Sequence, residues 1–216
     1  ILVWAAAFTI IVSSLIALKK DNLKARLAFS TVGQLSYIIL GIAILSPYAA
    51  TGALYHIVAH AFMKITLFMC AGAIFVTTHR KNISEMIGIG RQMPITMTCF
   101  TLASLAVAGF PFFVGFTSKA NIIMGAISMG QPFFVATLIV SALLALTYLM
   151  PVVLMAFKRD FYNSQFPVRK EASLPMLIPI MITAACSLIL GVMPNFGLHL
   201  YDLAVMAGNA IFGLSL

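Results

Sequence analysis

Six stretches of the chain are apolar for long enough to cross a bilayer, and polar connections separate them. Residues 2–18 form the first run, ended by "KKDNLKAR" (19–26). Residues 27–45 form the second, ended by "SPYAA", and residues 51–76 the third, ended by "TTHRKNISEMIGIGRQMP". The fourth, 94–129, is too long for one straight crossing and is interrupted by "GFP" at 109–111. Residues 132–157 and 174–192 are the fifth and sixth, with "KRDFYNSQFPVRKEASLP" between them. A crossing takes roughly 20 apolar residues. In lipid a helix satisfies its own backbone hydrogen bonds. The pattern therefore predicts an all-α, polytopic transmembrane bundle of about six crossings, one broken near Pro111. The tail "NFGLHLYDLAVMAGNAIFGLSL" is read as a surface helix or the stub of another crossing.

Composition agrees. Hydrophobic residues make up 62% of the 216 and charged ones 8%, against about 25% charged in soluble domains. A soluble domain of this size could not hide such runs in its core. The first run lacks a charged n-region and an A-x-A-like site, so it reads as a crossing and not a signal peptide. The opening at Ile1, without an initiator Met, reads as a cut start. Cys70, Cys99 and Cys186 fall in apolar runs without metal-ligand spacing and read as small hydrophobes.

Charge sets the orientation. Of thirteen Lys and Arg, eleven lie in the first, third and fifth connections. These are Lys19, Lys20, Lys24 and Arg26; then Arg80, Lys81 and Arg91; then Lys158, Arg159, Arg169 and Lys170. The second and fourth connections carry none. The positive-inside rule places the basic connections in the cytoplasm and both chain ends on the other side. The alternation holds only if 94–129 is a single crossing with a break. The net charge of +8 then reports topology and not a nucleic-acid partner.

Two lysines remain, Lys64 and Lys119, inside crossings. Lys64 lies ~20 Å from either end of its run, too deep to snorkel out. Lys119 lies roughly 15 Å from the far end of its own. All five acids fall in connections or the tail. The bland reading, a structural ion pair, therefore lacks a partner within the crossings, and ionisable groups at such depth mark function. His56, His60 and Lys64 are spaced by four and form a stripe of ~12 Å on one helix face. A single histidine there would read as an interhelical hydrogen bonder. Three ionisable groups in line suggest a path for protons. Metal binding by the pair is the rival, but no Glu or Cys completes a site. Gly109, Pro111 and Gly115 mark the helix break, a device that frees backbone groups to line a hydrated path; an incidental proline kink is the alternative. Ser30, Thr31, Gln34 and Ser36 are candidate polar or water-lining residues.

At these residues the sequence resembles a family. "LKARLAFSTVGQLSYIILGI" (23–42), "HIVAHAFMKITLFMCAGAI" (56–74), "ISEMIGIGRQMP" (83–94) and "GFTSKANI" (115–122) are similar to the antiporter-like subunits of respiratory complex I and of Mrp-type cation/proton antiporters, the D-type Mrp subunit above all. The resemblance implies two inverted five-helix repeats, each with a broken helix, and a midplane axis of lysines and histidines. Residues 1–157 would be the second repeat. Residues 158–216 would add a cytoplasmic connection, one further helix and the tail. By resemblance, Lys24 matches the lysine that starts the helix with the S-T motif. His56, His60 and Lys64 match the bridging histidines and the channel lysine, and Lys119 the residue facing the outer exit. One departure is visible: Pro111 stands alone where relatives often have two prolines, and "KAN" replaces a bulky aromatic after the lysine.

The resulting expectation is a proton-translocating half-channel with Lys24, His56, His60, Lys64 and Lys119 as its relay. It would have no catalytic site, metal or cofactor of its own, and would be the pumping part of an NADH:quinone oxidoreductase-like translocase or of an antiporter. Expected partners are protons, the lipid bilayer and other membrane subunits, including the first repeat. A bacterial inner membrane is the expected location. Two alternatives stand beside it: a non-conducting scaffold, and Na⁺/H⁺ exchange without redox coupling.

Overall fold

The computed structural model describes residues 1–158 and 169–213. Helices α1 (Leu2–Lys19), α2 (Leu23–Ala43) and α3 (Pro47–Thr78) come first. A short α4 (Ile89–Gln92) precedes α5 (Pro94–Ala108) and α6 (Val114–Ser128). Then follow α7 (Pro132–Phe157), α8 (Leu174–Val192) and α9 (Leu200–Ile211). Helices α1, α2, α3, α7 and α8 are long and apolar enough to cross a membrane. Helices α5 and α6 have 15 residues each, ~22 Å, short of a core about 30 Å thick.

Local chemistry sets the helix ends. Prolines occupy the first turn of α3, α5, α7 and α8, where a missing N–H costs nothing. The Asn22 side chain caps α2 by accepting from the Ala25 N–H at 3.1 Å. Both α2 and α3 therefore begin before the apolar runs at 27 and 51, because caps and first turns are polar.

The three basic connections meet at one end of the bundle. Leu23 N donates to the Lys81 carbonyl and Ile83 N to that of Asp21, at 3.0 and 2.9 Å. The Asp21 carboxylate accepts from the Ser84 N–H and hydroxyl. Gly88 N reaches the Met155 carbonyl, and Lys170 N that of Gln92. Glu171 caps α5 by accepting from the N–H groups of Ile95 and Thr96. Exposed Glu85 accepts from the Asn82 side chain and from the N–H groups of Asn82 and Lys81, which hold its carboxyl below the ordinary value. Arg159, counted with the fifth connection, lies outside the described residues.

At the opposite end Ser46 and Ser128 hydroxyls pair at 3.1 Å. The segment from α5 through α6 thus starts at the basic end and finishes at the other. Small residues let backbones close there: a Cβ on Gly125 would meet Ala49, and one on Gly41 would meet Ala53 at 2.8 Å. Such contacts are how helices pack without a hydrophobic drive between them.

Helix α3 is the hub. Its 32 residues reach ~48 Å, and it touches α2, α5, α6, α8 and α9. The tail forms α9, 12 residues long and too short to cross. It lies on α3, with Ala204 and Gly208 buried against it. Cys70 and Cys99 are buried and Cys186 half-buried, and all three are free thiols.

Candidate functional site

Lys64 sits midway along α3, 4% exposed. Its ammonium donates to the Ser30 hydroxyl at 2.6 Å and more weakly to the Leu27 carbonyl at 3.4 Å. Ser30 in turn pairs with the Tyr148 hydroxyl at 2.7 Å. Three helices, α3, α2 and α7, therefore meet in one chain from Lys64 to Ser30 to Tyr148. An ammonium only donates, whereas either hydroxyl can give or take a proton.

Pro151 lies inside α7, in the turn that follows Tyr148, and offers no N–H to the helix. The Tyr148 carbonyl in that turn accepts from Arg26 at 2.9 Å. Arg26 also donates to the carbonyls of Lys20 and Leu18, closing the end of α1. A buried guanidinium satisfied by three backbone oxygens thus fixes α7 relative to α1 and α2.

Further along α3, His56 is fully buried. Its Nδ1 lies 2.8 Å from the Ser118 hydroxyl of α6. That hydroxyl donates to the Gly115 carbonyl at 3.1 Å. The arrangement puts the imidazole proton on Nδ1 and a lone pair on Nε2. The Nε2 atoms of His56 and His60 have no hydrogen-bond partner among the described residues. Their ring centroids stand 6.3 Å apart. The His56 ring also stacks on Tyr37 at 5.7 Å.

Tyr37 connects this row to Lys119, whose ammonium lies over the Tyr37 ring at 4.9 Å. The same ammonium donates to the Val107 carbonyl. In an unbroken helix that carbonyl would accept from residue 111, but Pro111 has no N–H. The break therefore creates the acceptor that anchors Lys119.

Between α5 and α6 the chain turns at Gly109, with φ +86°, and at Phe112, with φ +71°. Pro111 lies in this turn, exposed. Gly115 lies inside α6 and serves a different purpose. A Cβ there would collide with the Ala106 carbonyl, so glycine is what lets α6 start against the end of α5. A cavity of about 390 Å³ flanks the turn, with Lys119 on a wall otherwise built of apolar residues such as Phe116, Leu138 and Leu143.

The row thus joins Lys64, His60, His56 and Lys119 along α3 and α6. Lys24 stands apart, exposed at the basic end with its ammonium 5.0 Å from the Phe75 ring centroid. Of the lining candidates, Ser30 is within the row. Thr31 and Ser36 return their hydroxyls to their own helix, at Leu27 and Val32. Gln34 is buried, and its Oε1 has no partner among the described residues. Sequence reasoning missed Tyr37, Tyr148, Ser118 and Arg26. Tyr37 follows Ser30 by seven residues and so shares its face, a signal that was available; Tyr148 carries no comparable one.

Comparisons with known proteins bear on the family and the fold. Residues 1–145 match the family described as "NADH:quinone oxidoreductase/Mrp antiporter, TM". The chain is 35% identical over 202 residues to an NADH-quinone oxidoreductase subunit N of Desulforudis audaxviator, covering 88% of this chain and 40% of that one. It is 31% identical over 215 residues to an F(420)H(2) dehydrogenase subunit L of Methanosarcina mazei, covering 91% and 31%. In fold it is similar to a chain of the Mrp complex from Dietzia sp. DQ12-45-1b, with TM-score 0.87, 21% identity and coverage of 97% and 47%. A chain of respiratory complex I from Thermus thermophilus gives TM-score 0.83, 22% identity and coverage of 96% and 44%. The chain therefore spans less than half the length of these relatives. The family match takes in Ser30, Tyr37, His56, His60, Lys64, Ser118 and Lys119 and ends before Tyr148, and this multi-pass membrane protein belongs to the NADH:quinone oxidoreductase/Mrp antiporter transmembrane family.

Proposed function

We propose that the chain is a proton-translocating half-channel within a complex I-like or Mrp-type multi-subunit antiporter. One observation carries this reading. Lys64, at mid-depth and 4% exposed, donates into a two-hydroxyl chain formed by Ser30 and Tyr148 instead of meeting a carboxylate. A fixed structural cation needs only acceptors, as Arg26 shows with its three backbone carbonyls. A lysine that hands protons on needs hydroxyl neighbours able to give and take them.

In this reading residues 1–157 are one five-helix repeat, and residues 158–216 add a connection, one crossing and the tail. The end where the basic connections meet faces the cytoplasm, and the membrane is a bacterial inner membrane. Lys24, at that end, sets the charge at the mouth. Protons reach Lys64 past Tyr148 and Ser30, then move by His60 and His56 to Lys119 and leave on the far side. A change of charge ~10 Å from Lys64 alters its proton affinity by ~1.5 kcal/mol at an effective dielectric of 20. That is enough for neighbouring subunits, including the part of the relatives beyond this chain, to gate it. Protons fit the row better than Na⁺, which favours oxygen ligands with carboxylates among them.

The test is proton uptake into vesicles holding the assembled complex, with wild-type chain or Lys64→Ala. Loss of uptake at normal assembly supports the half-channel. Full uptake in the variant would leave only a scaffold role.

A further inference from the structure

A second cavity, of about 300 Å³, lies at the basic end between the start of α2 and the end of α3. This is the lower end of the roughly 300–1,000 Å³ range of ligand sites. Lys24, Arg80 and Lys81 line it together with Asn22, Phe75 and Met86. The ammoniums of Lys24 and Lys81 both lie against the Phe75 ring, at 5.0 and 5.1 Å from its centroid. Three cations are thus gathered at one cavity, and none forms an ion pair among the described residues. Of the two acids nearby, Asp21 accepts from Ser84, and Glu85 from Asn82 and the Lys81 backbone N–H, so neither pairs with the Lys24, Arg80 or Lys81 side chain.

Topology alone asks for basic residues on this side, in any arrangement. It does not ask them to converge. Bringing like charges together costs energy unless an anion sits between them. A phenyl ring that holds two ammoniums in place also lowers the freedom lost when an anion arrives. The cavity lies where the start of α2 meets the end of α3, at the basic end of the bundle, and basic pockets at the ends of membrane-spanning helices suit phosphate groups.

We propose that the cavity bounded by Lys24, Phe75, Arg80 and Lys81 is a phosphate-group site, filled by the headgroup of an anionic phospholipid or by free phosphate. The inference uses none of the buried row; it shares only Lys24 with the mouth of the proposed proton path, and the single changes Arg80→Gln and Lys81→Gln leave that residue in place.

The test uses the full chain in nanodiscs. Native mass spectrometry reads retained phosphatidylglycerol against phosphatidylcholine. Thermal unfolding in phosphatidylcholine discs reads the effect of added inorganic phosphate. The cavity variant is Lys24→Gln with Arg80→Gln and Lys81→Gln. The control is Lys158→Gln with Arg169→Gln and Lys170→Gln, which removes equal charge from the fifth connection. The expected result is preferential retention of phosphatidylglycerol that falls roughly tenfold further in the cavity variant than in the control. Phosphate stabilisation that depends on the cavity residues, without lipid preference, would assign the same site to the free anion. Equal loss in cavity and control variants, or no response to either ligand, would overturn the proposal. The single changes Arg80→Gln and Lys81→Gln supply the same comparison if the triple variant does not insert.

Discussion

Tyr148 and Lys64 meet through one atom: the Ser30 hydroxyl lies 2.7 Å from the first and 2.6 Å from the second. Neither touches a carboxylate there, and the three residues come from α7, α3 and α2.

Tyr148→Phe tests that meeting point. The ring stays and only the hydroxyl goes. The expected loss in stability is about 1 kcal/mol, the net value of one hydrogen bond, so the chain should still insert and assemble. Proton uptake per assembled complex should fall several-fold. Uptake at the wild-type level would place the route to Lys64 elsewhere.

Lys64→Arg separates a carrier from a fixed charge. Arginine keeps its proton in proteins, whereas a buried lysine can release one. The Arg variant should therefore block uptake nearly as fully as Lys64→Ala, although it preserves the cation. His60→Ala should be milder than either, because a water can span one missing turn. Normal uptake in Lys64→Arg, measured in vesicles and normalised on native gels, would show that the charge alone matters.

The break gives two distinguishable outcomes. Pro111→Ala supplies an N–H that can compete with Lys119 for the Val107 carbonyl. Assembly should persist while uptake drops. Gly115→Ala drives a methyl into the Ala106 backbone, and such overpacking costs about 1–3 kcal/mol or more. Here the amount of assembled protein should fall first. The reverse ranking on native gels would mean that the turn, and not the close contact, holds α5 to α6.

Orientation can be read by labelling. Cysteines placed at Lys20, Arg80 and Lys170, in a background lacking Cys186, should all react with an impermeant reagent from the same side. The hydrogen bonds that tie these connections together make a mixed result incompatible with the fold described.

Much of this was legible in the sequence because apolar run length and charge placement are coarse signals. The run 94–129 already showed an interruption at "GFP", and the helices stop at Ala108 and resume at Val114. The stripe His56, His60, Lys64 was readable from spacing alone. Tyr148 was not: its hydroxyl reaches Ser30 only because the fold brings α7 within side-chain reach of α2, 118 residues away in sequence. Gly115 was counted with Gly109 and Pro111 as marking the break, yet it lies inside α6. Its real reason is a close backbone approach, which only the three-dimensional arrangement reveals. Lys24 was placed in the row by resemblance, yet helical geometry turns it outward, away from the buried face that carries Ser30.

The pitch of α3 has one more consequence. His56 and His60 ride on the same unbroken helix, one turn apart, with their ring centroids 6.3 Å from each other. Neither Nε2 has a hydrogen-bond partner among the described residues, so the two rings are not directly bonded through those atoms. The row is therefore a ladder with a rung spacing one step too wide, and something must be inserted before a proton can climb it. In the proposed proton path hydration at the two Nε2 atoms then sets the rate, and osmotic stress should slow uptake more than a mutation that merely loosens the surrounding helices.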